Sequence, residues 1–464
     1  MFGNCTQNGM KNIFWLSLLV NIHLAFADLP IHCTLPQVIG EWELALGSSP
    51  VTDPDVCKSS VERQTGEVYT ITLMGRSSQQ LSHRIDLAYS GAVTGAASSS
   101  AATWNLVYDE GLVIKTAMSR RMTFYGRFDY ALDPNFKGTP EKFVTIDGRT
   151  PGYVSRCDSI KIGWMLSADH SEVRCFSAKR TKVGTARGPL VISRSLLTTE
   201  KDFRAPFTDP PSGLGNQGNC GSCFVWAFAY AFERILRSHY ARLNPGSPTV
   251  ASQFQLDREA ILSCSYSGTG CDGGYFSNLT LDVSYLGAPE HGCMDSVASD
   301  LSSVTGRAKS CSRTCYQDPS KLNFPDTFHE LSSEADIMHY LKTNGPVPVG
   351  IYLPELINLS NIKRDRIYEL ERVTPDRGYW DYLNHGVVIT GWGENVQREK
   401  YWTVYNPWGV KMMIARGGAN RWIARHAIAI IPDLCRGHIY TLLAAAGKAP
   451  VYCSAGAIRV HGDN

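Results

Sequence analysis

The stretch Gln217-Gly-Asn-Cys220-Gly-Ser-Cys223-Phe decides the fold, because a long apolar helical pattern begins at its second cysteine. From Cys223 the chain reads CFVWAFAYAFERILRSHY, with charged residues only toward the end. This pattern predicts a helix whose positive N-terminal field acts on the Cys223 sulfur. Such a field, with an adjacent imidazolium, lowers a cysteine pKa to roughly 3.5–7.5, which makes the thiolate an effective nucleophile.

Two motifs farther along offer partners for a nucleophilic thiol. His385 lies in N-H-G at the start of an apolar strand pattern, and Asn406 begins N-P-W-G. We predict that His385 holds the thiol proton and returns it to the leaving amine. Asn406 would fix the imidazole ring, and Trp408 would shield that hydrogen bond from water.

Gln217 lies in the same stretch as the nucleophile, six residues before Cys223. It is placed to donate its side-chain amide to a tetrahedral oxyanion, beside the backbone N–H of Cys223. Two other interpretations remain open: a buried structural thiol at Cys223, and a thioredoxin-like redox motif at Cys220–Cys223. The redox interpretation gives His385 no role. Because the chain has no pair of C-x-x-C knuckles, we predict no metal site.

Four blocks in this order resemble the papain family of cysteine peptidases. They are Q-x-x-C-G-S-C, C-x₆-C-D-G-G, N-H-G with G-W-G, and N-x-W-G, ending at Gly409. The resemblance implies that Gly273 and Gly274 supply bare backbone along which an extended substrate lies. This chain departs from the family at Phe224, where Trp or Tyr is usual, and at Pro407, where Ser is usual. It also lacks the second W-G-E-x-G-Y stretch after Gly409.

The region before these blocks shows β patterning instead of a helical prosegment. Residues 65–150 contain EVYTITLM, HRIDLAYS, TWNLVYDE, GLVIKTAM and RMTFYGRFDY, many with alternating apolar and polar residues. Turns rich in Gly, Ser and Asp separate them, including the flexible tract Gly91–Ala102. The predicted fold class is α+β, with an all-β antiparallel barrel preceding a two-lobed papain-like domain of one helical and one β-barrel lobe.

The β region has a resemblance of its own. The stretch Asp28-Leu-Pro-Ile-His-Cys33 and the segment from Cys157 to Cys175 are similar to the exclusion domain of the cathepsin C (dipeptidyl peptidase I) family. In that family the exclusion domain blocks one end of the cleft, and the carboxylate of its N-terminal Asp receives the substrate's free amino group. The resemblance therefore implies that Asp28 binds the substrate α-ammonium.

These observations favour a cysteine-type dipeptidyl aminopeptidase that removes dipeptides from free N-termini of peptides and proteins through a Cys-His acyl-enzyme. One alternative is a papain-like endopeptidase with a β-type N-terminal domain. The other is a catalytically silent, peptidase-like binding protein, suggested by the altered region around Pro407. A net charge of +2 gives no basic face, so nothing points to nucleic acid. No cofactor is predicted, but the resemblance implies chloride near the second subsite and a homotetramer.

The cysteine count fits an oxidising compartment. Of 14 cysteines, one precedes the mature chain and one is the proposed nucleophile, which leaves an even number for pairing. The resemblance implies the pairs Cys33–Cys157, Cys57–Cys175, Cys220–Cys271, Cys264–Cys311 and Cys293–Cys315. Elimination then leaves Cys435–Cys453.

The N-terminus predicts entry into the secretory pathway. Lys11, the apolar run IFWLSLLV and Ala25-Phe-Ala27 are typical of a signal peptide. A lysosome-like compartment, a secretory vesicle or the extracellular space would follow, and Asn278 and Asn358 lie in glycosylation sequons. The predicted organisation is signal peptide 1–27, β exclusion-type domain 28–186, linker 187–212, peptidase domain 213–435 and tail 436–464.

Overall fold

The structure is a computed structural model of the chain. It describes residues 31–59 apart from 32 and 34, 65–73, 89–95, 98–107, 110–116, 122–140, 151–167, 170–184, 201–207, 215–247, 254–294, 308–331, 333–353, 362–372 apart from 364, 383–450 and 453. The predicted signal peptide and most of the predicted strand HRIDLAYS lie outside the described residues. Within the described ranges, no helix is long and apolar enough to cross a membrane.

The N-terminal region is an antiparallel barrel. A short helix and eight described strands form it: α1 (Leu35–Val38), β1 (Gly40–Gly47), β2 (Thr65–Leu73), β3 (Tyr89–Gly95), β4 (Ser98–Val107), β5 (Gly111–Thr116), β6 (Thr123–Leu132), β7 (Tyr153–Leu166) and β8 (Val173–Val183). Each strand pairs with the next, and β8 pairs back with β1. The barrel therefore closes, which confirms the all-β antiparallel prediction for this region.

The prediction of a flexible turn at Gly91–Ala102 is wrong. Most of this tract belongs to the β3–β4 hairpin, in which Ala92 lies opposite Ala101 and Gly95 opposite Ser98. Small residues give no alternation of apolar and polar side chains, so the sequence carries no strand pattern here. Pairing with β2 on one side and β5 on the other supplies the hydrogen bonds that keep the tract extended.

Large aromatic side chains fill the barrel. Those almost fully buried in its core are Trp42, Trp104, Phe124, Phe128 and Phe176. Two disulfides tie the chain around this core, Cys33–Cys157 and Cys57–Cys175. They join the same pairs that the resemblance implies, and each closes a long loop, so each restricts the unfolded chain strongly.

The C-terminal region combines helices with one large sheet, which confirms the α+β prediction. Its helices are α2 (Cys223–Leu243), α3 (Arg258–Cys264), α4 (Phe276–Leu286), α5 (Glu334–Thr343) and α6 (Gly437–Ala445). Its strands are β9 (Phe203–Arg204), β10 (Ala288–Pro289), β11 (Leu322–Asn323), β12 (Pro325–Leu331), β13 (Val347–Ile351), β14 (Ile367–Tyr368), β15 (His385–Glu394), β16 (Lys400–Asn406), β17 (Val410–Ala415) and β18 (Ala427–Pro432). The sheet runs β12-β18-β13-β15-β16-β17-β14, with β9 paired to β15.

Helix α2 lies in the centre of the C-terminal region. Its residues from Phe224 to Arg237 are buried, as its apolar pattern predicts. The buried Glu233 carboxylate accepts hydrogen bonds from Arg258 Nη2 at 3.1 Å and from the backbone N–H of Leu256 at 3.1 Å, and it also pairs with Arg234. The buried charges of Glu233 and Arg234 are thus paired with each other and with Arg258.

The described part of the predicted linker, residues 201–207, is built into the sheet. Phe203 stacks on Trp392 with ring centroids 4.7 Å apart, and the backbone N–H of Ala205 donates to Thr390 O at 2.9 Å. This segment forms β9, which pairs with the far end of the strand that begins at His385.

The barrel and the helical part of the C-terminal region share a buried contact. Trp164 of β7 stacks on Tyr125 of β6, with ring centroids 5.8 Å apart, and its other neighbour is Tyr266 at 5.6 Å. Arg127 Nη2 donates to Ser267 O at 2.6 Å. Apolar packing is continuous across this boundary, so the barrel is docked by both apolar burial and a charge-assisted hydrogen bond.

The residues after Cys435 pack onto the helical part. Ile439 and Leu443 of α6 are completely buried, and His438 Nε2 lies 3.0 Å from Glu290 Oε1. A disulfide, Cys435–Cys453, closes this segment. The predicted tail therefore includes a docked helix.

Glycosylation at Asn278 is contradicted by the structure. Asn278 lies inside α4 with 2% of its surface exposed, and Thr280 Oγ1 of the same sequon donates to Phe276 O at 2.6 Å. A glycan on this amide would have to occupy the packed core, so the prediction for the folded chain is wrong. The other sequon, at Asn358, lies outside the described residues.

Candidate active site

Cys223 is the first residue of α2, as the sequence predicts. Among the described cysteines it is the one outside a disulfide, and its side chain is partly exposed. Backbone N–H groups of Gly386 and Phe224 point toward its sulfur. Ser222, the preceding residue, makes no side-chain cap, and its carbonyl oxygen accepts the backbone N–H groups of Val225 and Trp226.

His385 opens β15, and Asn406 closes the neighbouring strand β16. His385 Nε2 lies 2.9 Å from Asn406 Oδ1. The same oxygen accepts the backbone N–H of Trp408 at 3.1 Å, which fixes the amide orientation. Nε2 must therefore carry the proton that it donates to Asn406, and Nδ1 is the nitrogen left for the thiol proton.

Trp408 covers this hydrogen bond. Its ring centroid lies 4.6 Å from that of His385, and Asn406 is completely buried. The indole ring therefore lies against the imidazole, and its role in excluding water from this bond stays a prediction.

Burial sets the protonation of both reacting groups. It raises the pKa of the Cys223 thiol, against the effect of the N–H groups of Gly386 and Phe224. It also lowers the pKa of His385 to about 4, against the hydrogen bond to Asn406. Both shifts favour a neutral thiol and a neutral imidazole, although the sequence predicts a thiolate. Desolvation outweighs the backbone N–H groups near the sulfur and the hydrogen bond from the imidazole to Asn406.

Gln217 is buried beside the nucleophile, but its amide already has a partner. Gln217 Nε2 donates to Cys220 O at 2.9 Å, while Oε1 has no hydrogen-bond partner. Its backbone N–H donates to Pro407 O at 2.8 Å. The loop before Cys223 and the turn after Asn406 are thus joined directly, and one amide hydrogen of Gln217 is left for an oxyanion.

Gly273 and Gly274 follow the Cys220–Cys271 disulfide, next to the first turn of α2. Gly273 has a φ of +107°, a conformation that favours glycine. A Cβ on Gly274 would lie 2.5 Å from the ring of Phe224. The packed ring therefore requires a glycine at position 274, and the substrate-binding role that the resemblance implies stays a prediction.

Comparisons with known proteins identify both regions. The profile of papain family cysteine proteases matches residues 198–417, and the profile of the cathepsin C exclusion domain matches residues 28–180. The C-terminal region therefore resembles the papain family of cysteine peptidases.

Curated relatives agree with this assignment at low identity. Cathepsin C from Schistosoma mansoni is 28% identical over 227 residues, which cover 46% of this chain and 47% of that protein. Dipeptidyl aminopeptidase 1 from Plasmodium falciparum (isolate 3D7) is 23% identical over 297 residues, covering 48% and 42%. The chain thus spans about half the length of the curated relatives it matches. A solved procathepsin L 3 from Tenebrio molitor is 21% identical with a TM-score of 0.38, covering 53% of this chain and 73% of that one.

The remaining sequence predictions concern Asp28, the disulfides and metal binding. Asp28 lies outside the described residues, so its role stays a prediction. The described cysteines also form the implied pairs Cys264–Cys311 and Cys293–Cys315. No group of three or more His, Cys, Asp or Glu within the described residues could hold a metal ion.

Two residues at the site, Gly386 and Met412, are not predicted from the sequence to have a functional role. Gly386 follows the histidine, and a Cβ there would lie 2.9 Å from Phe276 Cζ and 3.4 Å from the Cys223 carbonyl carbon. The motif N-H-G carries this signal, since only a glycine lets β15 pass so close to the start of α2. Met412 Sδ lies 3.6 Å from Asn406 Nδ2. Nothing in its local sequence marks that contact.

Proposed function

We propose that the chain is a cysteine-type dipeptidyl aminopeptidase that removes dipeptides from free N-termini of peptides and proteins. The main support for the proposal is the hydrogen bond between His385 and Asn406, which lies beside a helix that begins at the unpaired Cys223. In addition, the first domain of the chain matches the cathepsin C exclusion domain. The relatives named cathepsin C and dipeptidyl aminopeptidase 1 support the finer specificity.

The chemistry follows from the two neutral groups. As the Cys223 sulfur attacks the peptide carbonyl carbon, His385 Nδ1 takes the thiol proton and a tetrahedral oxyanion forms. The backbone N–H of Cys223 and the amide of Gln217 are the donors near that oxygen. The C–N bond then breaks, and His385 gives its proton to the leaving amine. Water, deprotonated by the same imidazole, hydrolyses the thioester and restores the thiol.

Asn406 acts on the charge that His385 acquires. Its Oδ1 accepts the Nε2 proton throughout, so the imidazolium formed during attack is stabilised by a bond that already exists. Trp408 keeps water from competing for that oxygen. Because little reorganises during attack, this arrangement favours proton transfer by a buried imidazole.

The exclusion domain is the proposed source of dipeptide specificity. A carboxylate at Asp28, two residues from the scissile bond, would pair with a free α-ammonium and leave an acylated terminus without a partner. The docking of the barrel through Trp164 and Arg127 supports a fixed position for this domain relative to the helical part.

The proposed location is the secretory pathway, with a lysosome-like compartment, a vesicle or the extracellular space as its end. Six disulfides among the described residues are typical of an oxidising route. Chloride near the second subsite and a homotetramer stay predictions from the resemblance.

The test compares a fluorogenic dipeptide amide that has a free amino terminus with its N-acetylated form. We expect cleavage of the free form only, with a preference of at least about a hundredfold, because the acetylated terminus would leave the Asp28 carboxylate unpaired. Cys223→Ala is the blank and should remove cleavage altogether. Equal cleavage of both substrates would mean an endopeptidase cleft instead.

Asp28→Asn sharpens the test. It should lower kcat/KM for the free substrate roughly 10- to 100-fold, the range for losing one charge-assisted hydrogen bond. It should leave any residual activity on the acetylated substrate unchanged. If neither substrate is cleaved by a folded chain, the peptidase-like binding protein becomes the better interpretation.

A further inference from the structure

The side-chain amide of Asn406 has three polar contacts, and the third has no role in the chemistry described above. Its Oδ1 accepts from His385 Nε2 at 2.9 Å and from the backbone N–H of Trp408 at 3.1 Å. Its Nδ2 donates to Met412 Sδ, 3.6 Å away. Since the amide is completely buried, water cannot replace any of these partners.

Met412 reaches the amide because of strand register. Asn406 pairs with Val410 across the β16–β17 ladder, and Met412 pairs with Val404. Met412 is therefore the diagonal neighbour of Asn406 on the same face, a distance that a long unbranched side chain spans. It is 1% exposed, so the thioether is fixed inside the core.

We propose that Met412 is a positioning residue, whose thioether accepts one of the two Nδ2 hydrogens of Asn406 and thereby keeps Oδ1 aimed at His385. The inference rests on the proposed function, since it assigns Met412 to the same Cys-His site. An apolar side chain of equal size would leave a buried N–H without an acceptor. The amide then gains by rotating toward another acceptor, which draws Oδ1 away from the imidazole.

The decisive variants are Met412→Leu, which keeps the volume and removes the sulfur, and Met412→Gln, which restores an acceptor at similar length. Met413→Leu is the matched control, because Met413 is the next residue on β17, points to the other face and is only partly buried. All three are compared with the wild-type chain at equal folded concentration, set by near-UV circular dichroism.

The first readout is the rate of Cys223 alkylation by iodoacetamide as a function of pH, which needs no peptide cleavage. We expect Met412→Leu to lower the rate about tenfold, the usual effect of losing one buried hydrogen bond. Its acid limb should move to lower pH, because the bond to Asn406 raises the pKa of His385 and is weakened. Met412→Gln should recover most of the rate, and Met413→Leu should match the wild type.

The second readout is a double-mutant cycle with Asn406→Ala. If Met412 acts through Asn406, Met412→Leu has no further effect on alkylation once the amide is gone. Equal effects in both backgrounds, or an unmoved acid limb, would overturn the proposal and leave Met412 as a packing residue.

Failure of the proposed function gives a different result. If alkylation depends on Met412 but the chain cleaves no peptide, the positioning role of Met412 is supported and the proposed peptidase activity is contradicted. If Cys223 of the wild-type chain is alkylated with the pH dependence of an ordinary thiol, both the positioning role and the peptidase activity are contradicted.

Discussion

Asp282 is a carboxyl group buried in helix α4, with 1% of its surface exposed. Its Oδ2 accepts from Ser267 N at 3.0 Å, from Ser267 Oγ at 2.8 Å and from Ser265 Oγ, whereas Oδ1 has no hydrogen-bond partner. Burial raises its pKa from 3.8 to about 7, against these hydrogen bonds and the charge of Lys58. The folded chain therefore favours the neutral acid at a position near the docked barrel.

This shift makes stability depend on pH with a definite sign. The folded-state pKa of Asp282 lies above the unfolded value, so its contribution to stability is complete below pH 3.8 and is lost as the pH rises through about 7. We expect Asp282→Asn, which is neutral at every pH, to raise stability at pH 8 by at most about 4 kcal/mol. At pH 4 it should have little effect. Calorimetric Tm values at the two pH values check this, and an equal change at both contradicts it.

Which site residues the sequence can predict depends on where their roles are encoded. Cys223, His385 and Asn406 lie in motifs that resemble those of the papain family in order, and the structure brings His385 and Asn406 together. The contact of Met412 depends on strand register, which no local pattern encodes. The balance between the helix field and desolvation at Cys223 depends on burial by distant residues, so the raised thiol pKa is also invisible in the sequence.

The position of helix α6 depends on the glycine at its first residue. Gly437 begins the helix with a φ of +71°, and a Cβ there would lie 2.1 Å from Leu322 O. Gly447, just after the helix, has a φ of +66° and no atom within 4 Å of a Cβ. An alanine would be strained by the positive φ at both positions, but only at Gly437 would its Cβ also clash with another atom.

We therefore expect Gly437→Ala to destabilise the chain much more than Gly447→Ala. Each alanine incurs about 1 kcal/mol or more of strain at positive φ, but only at Gly437 must α6 also move away from β11. Thermal unfolding and limited proteolysis after α6 are the measurements. Equal losses of Tm for the two variants would show that α6 is not held at its first residue.

Helices and strands that have a periodic pattern of apolar residues can be predicted from the sequence. The apolar run from Cys223 becomes α2, and the alternation in GLVIKTAM becomes β5, although that strand ends at Thr116. The β3–β4 hairpin is missed because Gly, Ala and Ser carry no period, and closure of the barrel alone makes them strands. Local propensity is overridden here by the hydrogen bonds that two neighbouring strands offer.

The molecule as a whole is held together by the contact between the barrel and the helical part. Arg127→Ala removes the hydrogen bond to Ser267 O and exposes Trp164. We expect a loss of about 1.5–3 kcal/mol, the value of a charge-assisted bond, and cleavage of the N-acetylated substrate should rise as the barrel loosens.

Arg156→Ala is the matched control on the same barrel. Its side chain is about half exposed and lies 3.5 Å from Asp129, so its loss should change little. Calorimetry and the acetylated substrate are measured for both variants. If Arg127→Ala behaves like Arg156→Ala in both assays, the docking contact does not restrain the barrel.

The described disulfides divide into two separate sets. Two lie within residues 33–175, and four lie within residues 220–453, so none crosses from the barrel to the rest of the chain. A single backbone cut between residues 184 and 201 would therefore convert the molecule into a two-chain complex. The two chains would then dissociate on dilution, with a dissociation constant set by the contacts across this boundary, which include those of Trp164, Arg127 and Lys115. The proposed dipeptide specificity would decline with them.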